Sequence, residues 1–322
     1  MGRLLALLRN PAVRTGFVVV AVGAAVVAVV VERETLLEAL DSLSAGAVLL
    51  AAALGAVFLV CTGASWRTVL ADLGSPLPRT DALVIFGVSQ LGKYVPGGVW
   101  NVVAAGEMGA VHRIPRRRSV TAMGVSVLVS VVTGLALGVL TVATVGARGL
   151  DLRWLWWAAP VMVLLLVPPV LNRCLALGMR VLRQPVPEEP LTTSGTLRAV
   201  AWAIVGWLAI GCQVGVIATA LGLPLTVGSF LLCVGAYALA WVVGFLVVVT
   251  PAGLGAREVV LAAMLGGSLA SGQVLLVVLS SRVLQTVGDL ALAGLGALLA
   301  RRAASRRRAA AGTGVPSHGE AL

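Results

Sequence analysis

Two short stretches carry most of the residues able to do chemistry. The first is Gln90-Leu91-Gly92-Lys93-Tyr94-Val95-Pro96-Gly97-Gly98-Val99-Trp100-Asn101, and the second is Thr250-Pro251-Ala252-Gly253-Leu254-Gly255-Ala256-Arg257-Glu258. Proline removes a backbone donor and drives the residue before it out of helical geometry, and glycine then permits any backbone angle. Each stretch therefore reads as helix, break, helix. The helix restarting after each break presents free N–H groups and a positive dipole end, which suits an anion. Lys93 adds a full positive charge beside the first, and Arg257, shaped for bidentate phosphate binding, lies in the first turn after the second. Tyr94 and Trp100 offer ring faces and polar tips to a sugar or head group, and Gln90 and Asn101 can hydrogen-bond it. The plainer alternative for Lys93 is a side chain reaching back to the membrane interface.

The nearest acids to the breaks are Glu107 and Glu258. They either pair with Lys93 and Arg257 or carry a proton in a coupled cycle. Arg282 and Asp289 stand seven residues apart on one helix face, with Gln285 nearly in line. That polar stripe suits substrate contact, proton coupling or helix-packing hydrogen bonds.

Enzyme signatures are missing. There is no His-Glu-x-x-His and no paired-cysteine motif, so no metal ligands, catalytic residues or cofactor are expected. Gly87 to Lys93 has the spacing of a phosphate-binding loop, but Tyr94 stands where Ser or Thr is needed and no strand precedes it. The four cysteines have no close pair and read as small packing residues. A net charge of +11 raises nucleic-acid binding, yet the basic residues cluster between apolar runs, as the cytoplasmic loops of membrane proteins do.

The elements that must position these residues are transmembrane. Of 322 residues, 59% are hydrophobic and 11% charged, and the mean hydropathy is +1.02. Such a chain lacks a polar coat for water. In lipid only helices or closed barrels satisfy the backbone, and the long continuous apolar runs exclude alternating barrel strands. The expected fold is an all-α polytopic membrane protein. Spans are expected at 14–31, 46–66, 120–146, 154–172, 199–221 and 273–299, with 14–31 an uncleaved first span.

Charge sets the topology. Basic loops around Arg79 and Arg113–Arg118 put both ends of the first broken segment, 81–110, in the cytoplasm, so it must enter and leave by one face. The same parity makes 226–265 a second re-entrant hairpin from the opposite face. Six full spans plus two broken hairpins form an inverted repeat, with halves at 14–172 and 199–300. Such paired breaks point to a transport site near the bilayer midplane. Residues 184–190 read as a Pro-rich cytoplasmic linker, and 301–322 as a basic, disordered cytoplasmic tail. Both termini are expected in the cytoplasm, in a cytoplasmic (inner) membrane.

Together and in this order, the two break motifs resemble the transmembrane, flippase-like region of lysylphosphatidylglycerol synthases and its stand-alone relatives. The resemblance extends over residues 10–300 and implies lipid translocation. A stand-alone member, without the synthase domain, is expected. Stand-alone relatives are associated with glycolipid and polyprenyl-phosphate-sugar pathways. The expected function is therefore flipping of an anionic lipid, foremost a polyprenyl-phosphate-linked sugar. The alternatives are an aminoacylated or other anionic phospholipid, ion-coupled transport of a small anion, and a non-transporting scaffold for a glycosyltransferase.

Overall fold

A computed structural model describes residues 43–95, 100–145, 157–181, 190–247 and 255–312, with Gly23 and Val30 before them. All secondary structure among them is helical. The helices are α1 (Ala45–Asp72), α2 (Arg79–Gln90), a 3-10 turn (Leu91–Tyr94), α3 (Trp100–Val111), α4 (Arg116–Val145), α5 (Ala158–Leu166), α6 (Pro168–Val181), α7 (Thr193–Ala220), α8 (Val227–Leu246), α9 (Ala256–Leu265) and α10 (Ser271–Gly312). Several begin at hydroxyl caps. Ser44 Oγ accepts from Ala47 N, Thr192 Oγ1 from Gly195 N, and Thr226 Oγ1 from Ser229 N.

Five helices, α1, α4, α7, α8 and most of α10, are long and apolar enough to cross a membrane. Polarity is inverted relative to a water-soluble protein. Leu49, Leu50, Val60 and Leu298 point outward, while Ser65, Thr133, Gln213 and Asp289 are buried. The chain is a multi-pass helical membrane protein. Helices meet through small residues, because lipid supplies no hydrophobic drive between them. Gly134 on α4 lets the Trp207 ring approach, and Gly138 does the same for Leu239. Ser65 Oγ on α1 donates to Ala199 O on α7 at 3.0 Å. Around the α1–α7 pair lie two cores. One joins them to α8, α9 and α10 through Trp207, Tyr237 and Val277. The other joins them to α2, α3 and α4 through Trp66, Phe86 and Met123.

The two broken segments differ in shape. In the first, α2 and α3 are each 12 residues, so about 18 Å long, well short of a hydrocarbon core of about 30 Å. They pack on one another. Both ends of the pair meet at one end of the bundle, where Arg118 Nη1 donates to Gly74 O at 3.0 Å and Ser75 Oγ at 2.8 Å. In the second, α8 has 20 residues and is itself long enough to cross, whereas α9 has 10. The expected pair of matched hairpins is therefore an unequal pair.

Other expectations need correction. The described part of the expected span 154–172 is not one continuous helix. Pro168 and Pro169 supply no backbone donors, and Val167, forced to ψ 126, divides α5 from α6. The tail expected to be disordered is helical as far as Gly312. The expected span 14–31, apart from Gly23 and Val30, lies outside the described residues, as do linker residues 184–189.

Candidate functional site

The first break forms because α2 tightens into the 3-10 turn and Val95 then adopts extended geometry (φ −90, ψ 130) before Pro96. Gly92 sits against the backbone of Trp100 and Asn101, where a Cβ would collide, so the turn closes directly onto the start of α3. Pro96, Gly97 and Gly98 lie outside the described residues. The second break is bounded by Val247 at the end of α8 and Gly255 at φ 86, and Pro251 and Gly253 lie outside the described residues.

Both breaks face the same side of α10. Lys93 Nζ lies 2.5 Å from Asp289 Oδ2, and Tyr94 donates its hydroxyl to the same oxygen at 2.7 Å. Arg282, about two turns earlier on the same face of α10, forms an ion pair with Glu258 of the second break. So the lysine of one break meets the acid of α10, and the acid of the other meets its arginine. Glu258 also accepts from Gly255 N at 2.6 Å, capping α9 with its own carboxylate. The second helix end, expected to be an open anion seat, thus has its first donor already engaged. Arg257 finds a neutral partner instead. Its Nη2 donates to the Tyr237 hydroxyl, and its Cζ stands 4.5 Å from that ring's centroid.

Between these groups lies one cavity with about 1050 Å³ of empty space, its open mouth included. Lys93, Arg257, Arg282, Gln285, Thr286 and Asp289 form a charged and polar wall, joined by Gln90, Tyr94 and Asn101. Phe58, Trp241 and Phe245 form an aromatic wall. Trp241 and Phe245 stack nearly parallel, at 4° and 5.5 Å between centroids, and Trp207 packs edge-on behind Trp241 at 5.4 Å. Asp289 is fully buried, and its Oδ1 has no hydrogen-bond partner among the described residues. Gln285 is 5% exposed, and neither its Oε1 nor its Nε2 has a partner among them.

The cavity thus gathers Gln90, Lys93, Tyr94, Asn101, Arg257, Arg282, Gln285 and Asp289 from five separate elements. Trp100, Glu107, Gly255 and Glu258 stand outside its lining. Glu107 pairs with Arg116, not with Lys93. The guanidinium donates from Nε to Oε1 at 2.7 Å and from Nη2 to Oε2 at 3.0 Å, at the junction of α3 and α4. Nor does Glu258 pair with Arg257. Sequence reasoning missed Tyr237 and the aromatic wall. One signal was present: the chain has only two tyrosines, and each lies in or just before a broken segment. Trp241 and Phe245 sit in an unbroken apolar run, where nothing separates a ring facing the cavity from one facing lipid.

Among the described residues, no group of three His, Cys, Asp or Glu side chains is placed to hold a metal ion. Residues 16–294 match the family described as the lysylphosphatidylglycerol synthase TM region. No curated protein matches the chain.

Proposed function

We propose, from the premise that the chain belongs to the lysylphosphatidylglycerol synthase transmembrane-region family, that it flips an anionic lipid across the cytoplasmic membrane, foremost a polyprenyl-phosphate-linked sugar. The observation that carries this reading is a cavity between the two breaks, lined by both cations and aromatic rings. An amphipathic head fits such a space: phosphate against Arg257, with the Lys93–Asp289 pair close by, a sugar ring against the Trp241–Phe245 stack, and the hydrocarbon chain left in lipid. The short arms of α2 and α3 support re-entry from one face, so the first break sits partway through the bilayer. The basic loop at Arg113–Arg118 supports a cytoplasmic side for that face, and the reading takes both termini to lie there too. Outward movement of one negative charge gains about 2.3 kcal/mol per 100 mV of inside-negative potential, so the potential alone biases export. Transport then needs no catalytic residue, and a glycosyltransferase that makes or uses the lipid is the expected partner.

Reconstitution in vesicles with a labelled polyprenyl-phosphate sugar tests this. Flipping should fall to background in the Lys93→Ala/Arg257→Ala variant, and unchanged flipping would reject the site. A second reading, ion-coupled transport of a small anion, draws support from Asp289, the one carboxylate lining the cavity among the described residues. Uptake of a soluble anion driven by a pH gradient, with no lipid flipping, would favour it.

A further inference from the structure

Resting on the reading above, we infer that the cavity selects head groups carrying one negative charge, as a phosphodiester does, and that Asp289 sets this limit.

The basis is the charge balance at the cavity. Among the described residues its cations are Lys93, Arg257 and Arg282. Asp289 neutralises Lys93, and Glu258 neutralises Arg282. Residues 96–99 and 248–254, which complete the two breaks, contain no ionisable side chain by sequence. Among the described residues, three cations against two carboxylates leave one positive charge. It resides on Arg257, whose partner is the neutral Tyr237 hydroxyl and ring. A guanidinium has five N–H donors in a planar fork, so this contact leaves donors able to grip a phosphate. Gln285 adds an unengaged amide on the same wall, suited to the uncharged part of a head group.

Burying uncompensated charge is costly. A singly charged phosphodiester brings the cavity to neutrality. A diphosphate leaves an excess negative charge beside the buried Asp289 carboxylate, whose free Oδ1 can only accept hydrogen bonds and so repels the second charge. A cationic or zwitterionic head leaves Arg257 uncompensated. Asp289 is thus a specificity-determining residue: it cancels Lys93 and holds the cavity at a single positive charge.

The experiment reconstitutes the full chain in vesicles and compares two labelled lipids that share one prenyl chain and one sugar. One is joined through a monophosphate, with one charge, and the other through a diphosphate, with two. Wild type should flip the singly charged lipid faster by on the order of tenfold. Asp289→Asn should shift the ratio toward the diphosphate by a similar factor. Lys93→Gln/Asp289→Asn, which removes both charges and restores the balance, should return the ratio to the wild-type side even where either single variant is poorly folded. An unchanged ratio in a folded Asp289→Asn, or a double variant that keeps the altered preference, overturns the inference while leaving flipping itself intact. If wild type flips neither lipid, the flippase reading fails and the inference with it. Inhibition of flipping by soluble inorganic phosphate as strong as by the prenyl phosphodiester would overturn the lipid as the source of the selected charge.

Discussion

The two breaks have the same grammar, a helix interrupted by Pro and Gly with a cation close by, yet they are built differently. The first joins arms of equal length through a 3-10 turn, and its lysine is held by a buried carboxylate. The second joins a long arm to a short one, caps the short one with its own glutamate, and leaves its arginine on a neutral tyrosine. Equal motifs thus acquire unequal electrostatics, because α10 presents an acid to one and an arginine to the other. The first break carries a compensated charge, and the second carries the charge that the proposed function assigns to a ligand.

The largest expected effect separates the breaks by what their glycines do. Gly92 has the α3 backbone against it, whereas Gly255 has open space but φ 86. Gly92→Ala should cost about 3 kcal/mol by forcing the turn off α3. Gly255→Ala should cost about 1–2 kcal/mol of backbone strain. Thermal unfolding in detergent should therefore show the larger drop for Gly92→Ala. Equal drops would mean that the two breaks are held in the same way.

Next come the cations. Lys93→Met strands Asp289 and should cost about 3 kcal/mol, most of it recovered in Lys93→Met/Asp289→Leu. Arg257→Met removes a group with a neutral partner and should cost about 1 kcal/mol. Arg257→Met should abolish flipping, whereas Lys93→Met should lower it only as far as it lowers stability, so melting and transport part company at the second break only.

A finer cut is Arg257→Lys. The charge remains while the planar fork and its stacking on Tyr237 are lost. Flipping should fall by on the order of tenfold, which 1.4 kcal/mol produces, with little change in melting. Full activity would remove bidentate recognition from the site.

Smallest is Glu107→Gln. Arg116 is well exposed, so the pair contributes roughly 0.5 kcal/mol. Flipping and its pH profile should match wild type; an altered profile would reinstate Glu107 as a coupling residue.

Much of the site was legible in the chain. Lys93, Arg257, Arg282 and Asp289 are each a rare charge within or beside an apolar segment, and intramembrane charge is costly enough to stand out. The seven-residue spacing of Arg282 and Asp289 put them on one face before any coordinates. Pairing was not legible. Glu107 and Arg257 looked adjacent to partners that they do not meet, because sequence proximity across a break says nothing about which way α10 runs between the hairpins. The helix break inside 154–172 has a local cause: apolar composition masks Pro168-Pro169, whose missing backbone donors decide the geometry.

By itself, then, the sequence determined the solvent, the helical class, the two interruptions and the short roster of charges. Each follows from local chemistry: apolar runs that cannot face water, prolines that cannot donate, charges that cannot sit in lipid without cause. Only the packing of whole helices brings Lys93 to Asp289, Glu258 to Arg282, and the Phe58, Trp241 and Phe245 rings to the same cavity. Those contacts join residues far apart in the chain, and they depend on how whole helices pack through their small side chains. No local propensity encodes that arrangement.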